Sequence, residues 1–66
     1  MAKIIIVLPN NEHHQLDVPD TVVVAQVNDI IVYQNIKARV IDRQFFYNQQ
    51  GVEIKLFVQQ FPELQV

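Results

Sequence analysis

Cysteine, serine and tryptophan are absent from the 66 residues, and glycine occurs once. Without cysteine there is no disulfide framework, thiolate zinc site, iron–sulfur cluster or thiol nucleophile. Without serine as well, Thr21 is the only aliphatic hydroxyl, and no conventional nucleophile–histidine–carboxylate triad can be assembled. A phosphate-cradling loop needs several positions free of a Cβ, and Gly51 alone cannot supply them. Helix formers are scarce, with three Ala and four Leu. The longest apolar run, Ile4-Ile5-Ile6-Val7-Leu8, falls far short of the roughly 18 residues of a membrane span. With only Lys3 ahead of it and Pro9-Asn10 behind, it also lacks the layout of a secretory signal. The expectation is a cytoplasmic protein without a membrane partner.

What is present points to strands. Eleven Val, eight Ile and one Thr make about a third of the chain β-branched, which suits a pleated surface better than a helix. Half the residues are apolar, 18% are charged and the net charge is −2, a balance that excludes a disordered chain. The length predicts one small domain over residues 1–66. Its fold class is all-β: a small antiparallel barrel or strongly bent open sheet of five or six strands, SH3-like in size. Apolar burial and chain ordering each come to about 100 kcal/mol for this length, so they nearly cancel. Ile4–Leu8 and Val22–Val24 are also apolar on both faces, and these two observations predict self-association.

Along the chain, Lys3–Leu8 and His13–Val18 flank a Pro9-Asn10-Asn11-Glu12 turn and predict a first hairpin. Thr21–Val27, with four valines in seven positions, reads as a further strand. After Asn28-Asp29 comes a short strand, Ile30–Tyr33, and a tight loop at Gln34-Asn35 that lacks the usual glycine. The clearest feature is a long hairpin, Ile36–Tyr47 and Val52–Gln60, around Asn48-Gln49-Gln50-Gly51. Val52, Ile54, Leu56 and Val58 share one face. In the other arm apolar residues sit at even positions through Val40, then at odd positions from Ile41 to Phe45 and Tyr47. A one-residue change of phase predicts a β-bulge near Val40-Ile41 and sends Phe45 and Tyr47 into the core. Pairing across the loop sets Tyr47 against Val52, Phe45 against Ile54 and Arg43 against Leu56. Pro62 stops the last strand, leaving Phe61–Leu64 to fold back over an edge.

Chemistry-bearing residues are few. His13 and His14 point to opposite faces of a strand and cannot chelate one ion, and Glu12 with His14 supplies two ligands where three or four are needed. Asp17, Asp20, Asp29 and Asp42 fall at turns or strand ends, where carboxylates serve backbone donors. A chain this short has little volume for a pocket, so an enzyme is not expected, and no metal or cofactor is implied. The binding candidates are Lys37, Arg39, Arg43, Phe46 and Phe57 on the long hairpin. Lys37, Arg39, Phe46 and Phe57 share the outer face. Arg43 falls on the inner face, where its charge needs a partner; a rim position, stacked on Tyr47 or Phe45 and paired with a carboxylate such as Asp29, competes with a role as interface anchor. Interleaved cations and rings also suit a single-strand nucleic-acid platform, but a pI near 5.4 argues for a protein partner.

Asp29-Ile30-Ile31-Val32-Tyr33, a short turn, and Val40-Ile41-Asp42-Arg43-Gln44-Phe45-Phe46-Tyr47 resemble small all-β accessory proteins of tailed phages and prophages. The resemblance covers residues 29–60, with Asn28 where such proteins often carry Gly. It implies a non-enzymatic virion component or inhibitor of a host system, acting in the host cytoplasm. The expected function is therefore a protein-binding module, partnered by itself and by another protein. A single-stranded nucleic-acid platform, or an oligomer sequestering a small nucleotide between subunits, are the alternatives.

Overall fold

The computed structural model describes residues 2–60. Five strands form one sheet: β1 (Ala2–Val7), β2 (His13–Val18), β3 (Ile30–Tyr33), β4 (Ile36–Asn48) and β5 (Gly51–Gln60). Their spatial order is β2-β1-β5-β4-β3, and the sheet curls into a half-barrel. Its two edge strands converge across the opening, where the rings of His14 and Tyr33 lie 5.7 Å apart. None of the described residues is helical, and no helix is long and apolar enough to cross a membrane.

The sheet is mixed rather than antiparallel throughout. β1 runs parallel to β5, with Ile4 beside Ile54 and Ile6 beside Leu56. Turn chemistry specifies only pairs adjacent in sequence, whereas β1 and β5 meet because both need neighbours on each side. The other ladders are antiparallel hairpins. β1 pairs with β2 from Ala2↔Val18 to Val7↔His13. Its turn is closed by the Leu8 N–H donating to the Glu12 carbonyl at 2.9 Å, and Asn11 takes φ 68. In the β3–β4 turn Gln34 carries φ 53, a left-handed geometry that costs about 1 kcal/mol without a glycine.

The long hairpin has the expected register, with Tyr47↔Val52, Phe45↔Ile54 and Arg43↔Leu56. The bulge is also where the change of phase puts it. Val40 faces Val58, the next paired residue is Asp42 opposite Phe57, and Ile41 is the extra residue. Val40 is wholly buried while Ile41 is 53% exposed beside Phe57, so Ile41 does not join the inner face. Gly51, at φ 141, closes the turn in a conformation that a Cβ disfavours.

The inner face holds the core: Ile6, Leu8, Ala38, Val40, Ile54, Leu56 and Val58. Each large aliphatic side chain buried there contributes about 1.5–3 kcal/mol. Residues 21–27 are not a strand. They lead from β2 at one edge of the sheet to β3 at the other, and cross the open mouth of the half-barrel without joining the ladder of either edge strand. The segment packs on one side only. Val24 and Ala25 rest on the core, and Val23 is 91% exposed. Asn28 then turns at φ 81, the geometry for which glycine is the unstrained choice, and donates to the Val40 carbonyl at 2.7 Å. On the outer face of β1 Val7 is only 8% exposed, Ile5 is partly buried and Lys3 is exposed, so cover on that side is confined to the end of the strand. The proposed fold-back at Phe61–Leu64 lies outside the described residues.

Candidate functional site

β4 has thirteen residues and β3 has four. β3 therefore pairs only with Ile36–Arg39, and Asn28 and Asp29 bond to Val40. Beyond that point no strand among the described residues flanks the outer side of β4. Which backbone groups face outward follows from two independent counts. The Val40 N–H and C=O bond to Asp29 and Asn28, away from β5; past the bulge, alternation turns Arg43, Phe45 and Tyr47 the same way. Counting back from the Asn48↔Gly51 pair that closes the turn gives the same three residues. The Arg43 N–H confirms it, because it donates to its neighbour's Asp42 Oδ1 at 2.9 Å rather than to β5.

The side chains along this edge are aromatic. Phe45 and Tyr47 were expected in the core, yet they are 39% and 79% exposed. They do lie on the inner face, but β3 and the crossing segment end near Val40, so nothing stands opposite them. Their rings stack 6.3 Å apart with planes 13° from parallel. The Arg43 guanidinium lies 5.3 Å from the Phe45 centroid, and its Nη1 donates to the Ala25 carbonyl at 3.1 Å. Stacking on Phe45 agrees with the sequence; the expected carboxylate partner is replaced by a backbone carbonyl of the crossing segment. On the opposite face Phe46 is 41% exposed, with the Lys55 ammonium 5.3 Å from its centroid. Phe45 and Tyr47 thus stack on the inner face and Phe46 stands on the outer one, along a stretch of β4 that no described strand pairs on its outer side.

Comparison with known proteins returns no match. No family model, curated protein or solved structure resembles the chain at a significant level.

The five binding candidates do not gather into one patch. Lys37 and Arg39 stand on the outer face opposite Val32 and Ile30 of β3, Phe57 lies beside Asp42, and Phe46 pairs with Glu53 near the tip. Arg43 is on the other face. Phe57 and Ile41 line an open groove of about 540 Å³ with Val7, Leu8 and Pro9, larger than the chain length suggests. Its polar lining side chains are Asn11 and Gln59, which are amides. His14 is half-buried, with the Glu12 carboxylate 2.9 Å from Nε2. Asp29 accepts from the Gln26 N–H at 2.8 Å, the turn role expected of it. Among the described residues no three His, Asp or Glu side chains cluster to hold a metal ion. Phe45 and Tyr47 were missed as surface residues, although the unequal lengths of Ile30–Tyr33 and Ile36–Tyr47 already imply that part of β4 lacks an outer neighbour.

Proposed function

We propose that the chain is a protein-binding module that accepts an extended strand on the outer edge of β4. The observation carrying this is that no described strand pairs the outward backbone of Phe45 and Tyr47, or the Arg43 carbonyl, beside exposed aromatic side chains. Strand addition takes affinity from main-chain hydrogen bonds and specificity from alternate side chains, and this edge offers both. Aromatic and Arg side chains are also the residues that concentrate binding energy at protein interfaces. A net charge of −2 disfavours polyphosphate partners at long range. A phage-type accessory or inhibitory role is compatible, supported by the resemblance of residues 29–60.

Selection of random extended peptides against the immobilised chain tests the proposal. Peptides with alternating apolar residues should emerge and shift the amide resonances of residues 42–48. Shifts confined to the outer-face groove, or a micromolar salt-sensitive complex with single-stranded oligonucleotides, would overturn it.

A further inference from the structure

Building on strand addition at β4, we infer that the strand this edge accepts is β4 of a second copy, paired antiparallel about a two-fold axis at Phe45. The edge is self-complementary in three respects. First, the outward backbone groups belong to Arg43, Phe45 and Tyr47, which are symmetric about Phe45. Antiparallel pairing then brings Phe45 opposite Phe45 of the second copy and Arg43 opposite its Tyr47, so that the two Phe45 residues exchange ladder bonds and each Arg43 carbonyl accepts from the facing Tyr47 N–H, the Arg43 N–H staying on Asp42. Second, the charges are compatible. Between Arg43 and Tyr47 the only charge is Arg43. The two-fold separates the two guanidinium groups by roughly 14 Å and sets each against a tyrosine ring. Asp42 falls opposite Asn48, with no like charge facing it. Third, the stack Arg43–Phe45–Tyr47 along one copy continues into the stack of the other on the same face, which covers the rings that one chain leaves bare.

The remaining edges are poorer candidates. β3 is four residues long, and the edges formed by β2 and β3 converge at His14 and Tyr33. At about 200 Å² per ring, the exposed fractions of Phe45, Phe46 and Tyr47 amount to roughly 300 Å² of aromatic surface per copy. Two copies with their backbone edges approach the lower bound of about 1,200 Å² for a specific interface. The dimer is accordingly expected to dissociate in the micromolar range, and its assembly would join two half-barrels into one continuous ten-stranded sheet.

The chain has no cysteine, which makes cross-linking clean. Symmetric pairing brings the two Phe45 Cα atoms to about 5.5 Å, within disulfide range. Phe45→Cys should oxidise to a covalent dimer at least tenfold faster than the turn control Asn10→Cys. Because Phe45 is itself an anchor, a second set keeps it in place. Gln44→Cys mixed with Phe46→Cys should give the mixed disulfide ahead of either homodimer, as those residues face each other across the two-fold. Tyr47→Lys, placing a cation opposite Arg43 twice per dimer, should weaken association about tenfold, whereas Tyr47→Glu, setting a carboxylate against Arg43 instead, should associate more tightly than Tyr47→Lys. The unmodified chain should show a mass rising from one copy to two across the micromolar range, with concentration-dependent shifts confined to residues 42–48. A monomeric mass throughout overturns the inference while leaving strand addition standing if peptides still shift those amides. A dimer that ignores the charge exchange or cross-links equally at Asn10→Cys overturns it too.

Discussion

Arg43→Met isolates what the inner-face guanidinium does for one chain. Methionine keeps an unbranched stem of similar length, so packing along β4 is largely retained and the charge and donors are lost. Two contacts disappear: the 3.1 Å hydrogen bond to the Ala25 carbonyl and the cation–π contact with Phe45. A hydrogen bond from a charged donor contributes about 1.5–3 kcal/mol, and partial exposure favours the lower end. An exposed cation–π contact adds about 0.5 kcal/mol. The expected cost is therefore about 2 kcal/mol. With an unfolding entropy of about 2.1 cal/mol/K per residue, the whole chain comes to roughly 0.14 kcal/mol/K, and Tm should fall by about 10–15 °C. Thermal melts by circular dichroism, in solution dilute enough to keep the chain monomeric, give the shift. Amide exchange locates it: Asn28 and Asp29, which anchor the crossing segment, should exchange faster at temperatures where Ile4–Ile6 stay protected. A fall of less than about 3 °C, with unchanged exchange at Asn28, would show that Arg43 does not tie the crossing segment to β4.

Leu56→Ala, at a core position 3% exposed, should cost about 2–5 kcal/mol in urea titrations, a large share of the roughly 3–10 kcal/mol that a domain this size holds; a cost below about 1 kcal/mol would refute its core role. Gln34→Gly should raise stability by about 0.5–1 kcal/mol in urea titrations by relieving the left-handed φ; a loss would mean that the side chain contributes more than its backbone strain costs. Val23→Asp should change stability by less than about 0.5 kcal/mol while Val24→Asp abolishes cooperative unfolding, because Val23 is exposed and Val24 packs on the core. Equal effects at the two positions would refute the described course of the crossing segment.

Local pattern was enough for much of this fold. Alternation with turn chemistry located three of the four strand pairings, the long-hairpin register and the bulge near Val40-Ile41, because each depends on neighbours only a few residues away. The two faces of β5 were legible for the same reason: Ile54, Leu56 and Val58 alternate with Glu53, Lys55 and Phe57. What period-2 patterning reports is the face on which a side chain stands; whether anything stands opposite that face is decided by distant chain. Thr21–Val27 has a strand's β-branched composition without a strand's hydrogen bonds, since it crosses the mouth of the half-barrel and joins neither edge strand. Phe45 and Tyr47 occupy core-facing positions but remain exposed, because β3 and the crossing segment end before reaching them. The parallel β1–β5 pair likewise has no sequence signature, being a contact between the two ends of the described chain. Alternation reads the faces of a strand; its neighbours and cover are set by long-range packing, which among the described residues leaves the aromatic stretch of β4 without a strand on its outer side.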